Sequence, residues 1–302
     1  MKELTRNFLF MVFIIFVLLL ALEIGLRILW KNPSKDYPAE MFVADKVLGY
    51  RYRPGFRGHF PNFEDISISI NSKGLRDVEH NYSKTGYRIL GLGDSVTFGA
   101  GVEFEKTYLR QLEHLLDAEI VKAGVNGWSF SQYRKFYEIE GYKYRPDLIM
   151  IGLTLNDLAP EKQDLPREYK SRFVEFLLSS ISRMSLPQDY NEKYFEAIYH
   201  LWDNPESFFS ELDNFKKNLG GTRLVIVYFP YTQQFSKIYN NSPQYKLKRF
   251  GADHNITFID LTDVLDSSLY LPGDNVHLNA EGYAKVAVYI SNQIKMQGIL
   301  NQ

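Results

Sequence analysis

The sequence predicts an α/β protein with a central parallel sheet covered by helices on both faces, preceded by a membrane-spanning helix. From Tyr87 onward, short apolar runs rich in strand-forming residues alternate with segments of helical periodicity. Such alternation is typical of a parallel sheet, because each crossover helix returns the chain to the same edge. At the N-terminus, residues 8–22 contain no polar side chain, which indicates a membrane helix.

The composition limits the classes of function. The 302 residues, of which 45% are hydrophobic, can bury one sizeable core, or one core with a small accessory unit. The 35 basic and 36 acidic side chains nearly cancel, so no nucleic-acid partner is expected. The absence of cysteine excludes disulfides and thiolate metal sites, and the six histidines show no obvious ligand set. We therefore expect no metal and no cofactor.

Residues 1–31 are predicted to be a membrane anchor. A bilayer-spanning helix needs about 20 residues, and Phe8 to Trp30 suffices if Arg27 pairs with Glu23 one turn earlier. No Ala-x-Ala type of cleavage site follows the apolar run, which favours an anchor over a cleaved signal peptide. Basic residues flank both ends almost equally, so the orientation in the membrane stays open.

The remaining chain divides into a preamble and a main domain. Residues 32–85 are predicted to be a linker and a small β element, in which residues 65–70 alternate with isoleucine on one face. Residues 86–302 form the main domain. Its predicted strands cover 87–92, 119–123, 147–155, 223–229 and 256–261. Its predicted helices cover 105–117, 131–142, 206–219, 243–253 and 280–296.

A long insertion, at about 159–205, interrupts this pattern after the third strand. It contains the amphipathic segment 169–184 and a stretch rich in Tyr and Trp. Insertions of this length are usually lids, partner surfaces or surface decoration. Because it leaves from the carboxyl end of a strand, it is well placed to cover a site, although a plain surface insertion is equally consistent with the sequence.

The candidate site lies where the first predicted strand ends. In an open parallel sheet the functional crevice lies beyond the carboxyl ends of the strands, and GDSVTFG (93–99) places Ser95 there. A serine hydroxyl needs a base and a group that orients the base. The late loop LPGDNVHLNAEGY supplies Asp274 three residues before His277, and Asn279 then caps the last helix.

Two further loops offer hydrogen-bond donors at the same edge. AGVNGWS follows the second strand with Gly124 and Gly127, and TLND follows the third with Asn156 and Asp157. An acyl-transfer enzyme needs donors aimed at the oxygen that becomes negative in the tetrahedral intermediate. The backbone amides of Ser95 and Gly127 and the side chain of Asn156 are candidates for those donors.

In order and spacing, these four blocks resemble those of the SGNH (GDSL-type) esterase and lipase family, over residues 87–296. The resemblance implies a flavodoxin-like three-layer αβα sandwich with strand order 2-1-3-4-5. It also implies the nucleophile Ser95, the base His277, the orienting carboxylate Asp274 and the oxyanion donors Ser95, Gly127 and Asn156.

The match has departures. The family often has glycine two positions before the Asn, and here Thr154 is expected to narrow the acyl pocket or shift the loop. Gly124 and Gly127 are both candidates for the oxyanion role. Gly127 is preferred because its spacing from the end of the strand matches the corresponding block of the family. The Gly-x-Ser-x-Gly elbow of α/β-hydrolases is absent, because Thr97 stands in its last place.

The sequence therefore supports a single-pass, membrane-anchored serine esterase that hydrolyses carboxylic esters on a glycan, a lipid or a small molecule. One alternative is an O-acyltransferase that uses the same triad on a surface polysaccharide. A second is a module that binds a glycan or a protein without catalysis. The resemblance places the catalytic domain outside the cytoplasm, since anchored members commonly act on envelope substrates. The oligomeric state stays open.

Overall fold

The computed structural model describes residues 2–29, 38–60, 66–161, 171–185, 190–236, 239 and 242–300. The chain divides into two compact units. The smaller unit takes its residues from Met1–Ala39 and Pro166–Tyr190, and the larger from Glu40–Leu165 and Asn191–Gln302. All of the candidate site residues fall within the larger unit.

The larger unit is built on a central sheet whose five described strands are all parallel. The described strands are β1 (Phe42–Asp45), β2 (Gly49–Tyr52), β3 (Arg57–Phe60), β4 (Ile66–Ser69), β5 (Arg88–Gly93), β6 (Glu119–Gly124), β7 (Leu148–Leu153), β8 (Arg223–Tyr228) and β9 (Thr257–Asp260). The sheet order β6-β5-β7-β8-β9 is the predicted order 2-1-3-4-5, so the fold prediction is confirmed. β5 and β7 are buried at every position, which explains their continuous apolar runs.

Helices cover both faces of this sheet. Of the described helices, α1 (Lys2–Leu29) and α5 (Arg172–Ser185) belong to the smaller unit and take no part in this cover. The larger unit contains α2 (Ser95–Phe98), α3 (Tyr108–Leu116), α4 (Phe130–Ile139), all but the first residue of α6 (Tyr190–His200), α7 (Glu206–Asn218), α8 (Ser242–Asp253) and α9 (Ala280–Met296). On one face, α3 and α9 share a buried cluster with alternate strand residues such as Leu148 and Met150. On the other, Phe130 of α4 packs edge-on against Phe208 and Phe215 of α7.

The structure differs from the predicted elements in three places. The third strand, predicted to reach residue 155, ends at Leu153, because Thr154 caps a short 3₁₀ helix, Leu155–Leu158. The turn predicted after β5 is the short helix α2. α6 lies in the Tyr- and Trp-rich stretch, for which no helix was predicted. Residues 162–170, the start of the predicted amphipathic segment among them, lie outside the described residues.

The preamble forms two antiparallel hairpins, β1 with β2 and β3 with β4. The predicted alternation around β4 is confirmed, since Ile66, Ile68 and Ile70 are all buried. Arg76, also buried, donates hydrogen bonds to the carbonyl oxygens of Gly99 and Val102 just after α2. The preamble is therefore packed against the main sheet domain at the end where Ser95 lies.

In the smaller unit, α1 is long and apolar enough to cross a membrane, and residues 2–22 are all exposed. The predicted ion pair forms, with Arg27 Nε 2.7 Å from Glu23 Oε1. The carboxylate of Glu23 also accepts hydrogen bonds from the Ser171 hydroxyl and from the backbone amides of Arg172 and Phe173, at 2.9 to 3.0 Å. Glu23 thereby caps the N-terminus of α5.

Candidate active site

Ser95 is the first residue of α2, directly beyond the carboxyl end of β5. Asp94 caps this helix, because its Oδ1 accepts a hydrogen bond from the amide of Val96 at 2.9 Å. Gly93 is required at the end of β5, since a Cβ there would collide with the hydroxyl of Thr97 and lie 2.9 Å from a carbonyl oxygen of β7. The tight approach of β5, β7 and α2 thus holds Ser95 at the edge of the sheet.

The structure brings His277 and Asp274 to this serine. Nε2 of His277 lies 2.8 Å from Oγ of Ser95, and Nδ1 lies 2.8 Å from Oδ2 of Asp274. The other carboxylate oxygen of Asp274 accepts the backbone amides of Val276 and His277, at 2.8 and 2.9 Å. Because Nδ1 keeps its proton and donates a hydrogen bond to Asp274, Nε2 is the unprotonated nitrogen and can accept the proton of the serine hydroxyl.

The pKa shifts of Asp274 and His277 suit the transfer of a proton from Ser95 to His277. Burial acts to raise the pKa of Asp274, but its hydrogen bonds and its attraction to His277 outweigh burial and lower that pKa to about 2. Burial acts to lower the pKa of His277, but the hydrogen bond and charge of Asp274, helped by Asp94, raise it above 6.5. Asp274 therefore stays ionised and stabilises a protonated imidazole.

Gly127, in the loop between β6 and α4, lines the same pocket as Ser95. Its φ of 75° is a left-handed conformation that favours glycine. Among the described residues, neither the amide of Gly127 nor that of Ser95 donates a hydrogen bond. Gly124 instead faces the backbone of α2, where an added Cβ would lie 2.9 Å from Cα of Phe98. The structure therefore places Gly127, and not Gly124, at the pocket.

The side chain of Asn156 is oriented by two hydroxyl groups. Its Oδ1 accepts hydrogen bonds from Thr154 Oγ1 at 2.6 Å and from Tyr231 OH at 2.9 Å. Because both hydroxyls approach the oxygen, the NH₂ group is the donor end: one N–H donates to Asp94 Oδ2 at 3.4 Å, and the second is left as a further donor. Thr154 is fully buried and is not part of the pocket wall, so the expectation that it narrows the acyl pocket is wrong.

Asp157, the residue after Asn156, has a structural role. Its carboxylate accepts the amide of Thr154 at 2.7 Å and the hydroxyl of Tyr133 at 2.5 Å. Burial, reinforced by the charge of Asp94, raises the pKa of Asp157 well above its usual range. Asp157 does not line the pocket, and it stabilises the loop that carries Asn156.

The pocket at this edge has a volume of about 290 Å³. Besides the residues predicted from the sequence, it is lined by side chains that sequence reasoning missed. Asn191, Tyr194 and Phe195 come from α6, and Tyr231, Gln233 and Asn275 come from the loops after β8 and before α9. Part of the long insertion therefore forms a wall of the pocket.

The described residues contain no group of three or more His, Cys, Asp or Glu side chains that could hold a metal ion. The single histidine at the pocket has both ring nitrogens engaged, one by a hydroxyl and one by a carboxylate. The pocket therefore holds a serine hydroxyl within hydrogen-bond distance of an imidazole, and Gly127 and Asn156 line the same pocket.

The model of the family described as "GDSL-like Lipase/Acylhydrolase family" matches residues 92–285, which is more than half of the chain. The protein belongs to this family and is a hydrolase of ester bonds. No curated protein matches the chain significantly.

Solved structures with a similar fold include three bacterial proteins. The lipase/acylhydrolase from Enterococcus faecalis is 17% identical, with a TM-score of 0.44 over 70% of this chain and 96% of that chain. The esterase EstA from Pseudoalteromonas sp. is 14% identical, with a TM-score of 0.46 over 70% and 98%. A GDSL-like lipase from Bacteroides thetaiotaomicron is 14% identical, with a TM-score of 0.42 over 70% and 88%.

Proposed function

We propose that this protein is a membrane-anchored serine esterase in which Ser95 is the nucleophile, His277 the general base and Asp274 the carboxylate that orients the base. The observation that carries the proposal is the unbroken row of hydrogen bonds Ser95 Oγ, His277 and Asp274, with 2.8 Å at each step. Nucleophile, base and orienting group within hydrogen-bond reach are the geometric requirement for nucleophilic catalysis by serine.

In the first half of the reaction, Ser95 Oγ attacks the ester carbonyl carbon while its proton passes to Nε2 of His277. The tetrahedral intermediate then collapses, and the C–O bond to the alcohol breaks. His277 returns the proton to the departing alkoxide, so an alcohol leaves and an acyl-enzyme remains. Asp274 stabilises the imidazolium through the Nδ1 proton without being protonated itself, consistent with its low pKa of about 2.

The negative oxygen of the intermediate needs donors that are already in place. The proposed donors are the amides of Ser95 and Gly127 and the NH₂ group of Asn156. In support, all three residues line one pocket, and Asn156 is held in orientation by two hydroxyls. Loss of one such donor costs about 3 kcal/mol of barrier, which is a hundredfold or more in rate.

The second half consumes water. His277 accepts a proton from a water molecule, and the resulting hydroxide attacks the acyl carbonyl. The ester bond to Ser95 then breaks, and the proton returns to Oγ as the carboxylic acid leaves. This step requires that water reach the acyl-enzyme.

The pocket favours a short acyl group on a hydroxyl-rich carrier such as a glycan. Its volume of about 290 Å³ leaves little room for a long acyl chain. The amide side chains of Asn191, Gln233 and Asn275 lie around it and can exchange hydrogen bonds with sugar hydroxyls. A long-chain lipid ester would instead require an extended apolar wall.

We further propose that α1 anchors the enzyme in a membrane, with residues 86–302 as the hydrolase domain on the extracytoplasmic side. The helix covers Lys2–Leu29, and the apolar side chains of residues 8–22 are exposed to solvent. Burial of that surface in a bilayer removes a large apolar area from water. Accessibility of the hydrolase domain to protease in intact cells checks the side.

The test is hydrolysis of a panel of esters by the purified full chain in detergent. Acetylated oligosaccharides and p-nitrophenyl esters of two to eight carbons are compared for the parent, Ser95→Ala and the control Ser69→Ala, an exposed serine of β4. We expect turnover with short acyl groups that is lost in Ser95→Ala and kept in Ser69→Ala. Full turnover by Ser95→Ala contradicts the proposal.

A further inference from the structure

The preamble hairpin reaches the loop that carries Gly127. The hydroxyl of Tyr50 donates to the carbonyl oxygen of Asn126 at 2.8 Å. The amide of Asn126 donates to the hydroxyl of Tyr52 at 2.8 Å. Both tyrosines belong to β2 and are buried, with 4% and 0% of their surfaces exposed.

The hydrogen bond from Tyr50 acts on the peptide group that contains the Gly127 amide. The carbonyl of Asn126 and the N–H of Gly127 belong to one planar unit, and the described residues contain no cis peptide bond. In a trans peptide these two groups point in opposite directions. Fixing the carbonyl from the Tyr50 side therefore aims the N–H of Gly127 away from the hairpin.

We infer that Tyr50 is a positioning residue for the oxyanion hole, acting through the Asn126–Gly127 peptide. The inference rests on the proposed role of Gly127. Tyr50 fixes the plane of the peptide, and its donation to the carbonyl also polarises the amide and strengthens Gly127 as a donor. Preorganised donors of this kind stabilise the developing negative charge without reorganisation at the moment of reaction.

Further contacts hold the hairpin firmly against this loop. Trp128 Nε1 donates to the carbonyl oxygen of Tyr50 at 3.0 Å, and Gln132 Nε2 donates to that of Leu48 at 2.7 Å. The ring of Phe42 contacts both tyrosine rings, with centroids 5.8 and 5.3 Å away. Burial raises the pKa of Tyr50, so its hydroxyl remains a protonated donor.

Tyr52 provides a matched control for Tyr50. It lies on the same strand, is equally buried and binds the same residue, but its partner is the amide of Asn126, which belongs to the preceding peptide. Tyr50→Phe and Tyr52→Phe each remove one buried hydroxyl from the same interface. Only Tyr50→Phe removes a hydrogen bond to the peptide group that contains the N–H of Gly127.

The experiment measures kcat and KM for a short-chain p-nitrophenyl ester with the full chain, with kcat expressed per serine titrated by a fluorophosphonate. We expect Tyr50→Phe to lower kcat about tenfold with KM unchanged, and Tyr52→Phe to stay within about twofold of the parent. Titrating active sites prevents partial unfolding from imitating the effect.

An equal loss of kcat in both variants, or none in Tyr50→Phe, overturns the role of Tyr50 while leaving the esterase intact. Turnover that persists in Ser95→Ala instead contradicts the proposed function, and the role of Tyr50 with it.

A second, independent observation concerns α5. Its N-terminus is capped by Glu23, which directly follows the apolar run of α1. If the part of α1 that crosses the hydrocarbon ends at the ion pair of Glu23 and Arg27, the first turn of α5 lies where hydrocarbon meets headgroups. On α1 only Glu23, Gly25 and Leu26 are partly covered, so α5 crosses the end of α1 and does not run along its length.

One side of α5 presents an apolar stripe. Val174, Leu177, Leu178 and Ile181 recur at three- and four-residue spacing, and each is between 42% and 54% exposed. Helices of this kind bury their apolar face at the level of the headgroups. We propose that α5 lies in the plane of the membrane and binds the lipid surface through this stripe.

The chain contains no cysteine, so single-cysteine labelling is unambiguous. The full chain is placed in vesicles of brominated phosphatidylcholine, with an environment-sensitive fluorophore at Leu178→Cys or, as the control outside the stripe, at the partly buried position Ser180→Cys. We expect at least twofold stronger quenching at position 178.

Equal quenching at both positions, or none at 178, overturns the proposal. Failure of the full chain to float with the vesicles contradicts the anchor itself, and with it the place proposed for α5.

Discussion

The hydroxyl of Tyr231 donates to Oδ1 of Asn156 over 2.9 Å, and Thr154 donates to the same oxygen over 2.6 Å. Asn156 is the donor proposed for the oxyanion, so these two contacts decide which end of its amide faces the substrate. Tyr231 reaches Asn156 from the loop after β8, 75 residues further along the chain.

Replacement of Tyr231 by Phe removes one of the two contacts that orient Asn156. We expect kcat to fall between about twofold and tenfold with little change in KM, since one hydrogen bond of about 1 kcal/mol is lost and Thr154 remains. Tyr228→Phe is the control, because that buried hydroxyl binds Gln234, whose side chain is not the proposed donor. A purely structural role for Tyr231 would leave the two variants alike in kcat.

The pH dependence of kcat/KM follows from the state of His277. The base must be neutral to accept the proton of Ser95, and its pKa is raised above 6.5 despite burial, chiefly by Asp274. Activity should therefore rise with pH through a midpoint above 6.5. A pH profile of the parent enzyme checks this, and a midpoint below 6.5 would contradict the assignment of the base.

Asp274→Asn removes the charge that supports the protonated imidazole. We expect kcat to fall on the order of 10³- to 10⁴-fold, because His277 loses its orienting acceptor. The midpoint of the pH profile should move to lower pH, since loss of the carboxylate lowers the pKa of His277. Asp266→Asn, at an exposed helix cap remote from the pocket, serves as the control. An unchanged kcat in Asp274→Asn would rule out its role.

Alanine substitutions at Gly124 and Gly86 distinguish the effect of a steric clash on stability from the effect of reduced backbone flexibility. A Cβ on Gly124 would meet the backbone of Thr97 at 2.5 Å, whereas a Cβ on Gly86 would meet nothing within 4 Å. We expect Gly124→Ala to lower the free energy of unfolding by about 1 to 3 kcal/mol and Gly86→Ala to leave it nearly unchanged. Thermal unfolding of both variants measures the difference.

A buried histidine outside the site should make stability depend on pH. Burial opposes the charge on His80, but hydrogen bonds to Asp77 and Glu119 raise its pKa above 6.5, and nearby Lys122 reduces the effect. A raised folded-state pKa gives stability that is present below the unfolded pKa and is lost as pH rises through the folded value.

Between pH 6 and 9, the free energy of unfolding should therefore fall with rising pH, and less steeply in His80→Gln. His277 acts in the same direction, so the informative quantity is the difference between parent and variant. Equal slopes for the two proteins would show that His80 does not contribute.

The sheet and the main site residues could be predicted because they depend on local patterns. Buried parallel strands such as β5 and β7 read as continuous apolar runs, and their carboxyl ends meet at one edge. Ser95, Gly127 and Asn156 follow three of those strands directly, so their convergence follows from the topology alone.

The supporting residues could not be predicted, because their partners are set by tertiary packing. Tyr50 binds a residue 76 positions away, and Tyr231 one 75 positions away. The chain has 21 tyrosines, and no local pattern marks these two. The expectation that Thr154 narrows the acyl pocket was wrong for a similar reason. Its hydroxyl donates to Asn156 Oδ1 in the protein interior, a contact that the sequence does not reveal.

The most direct test of the central claim is covalent labelling of the full chain with a fluorophosphonate, followed by mass spectrometry of the modified peptide. We predict one adduct per chain, on Ser95, that is absent from His277→Gln and retained in the control variant His254→Gln. An adduct on another serine, or equal labelling of Ser95 without His277, would contradict the proposed catalytic serine and its base.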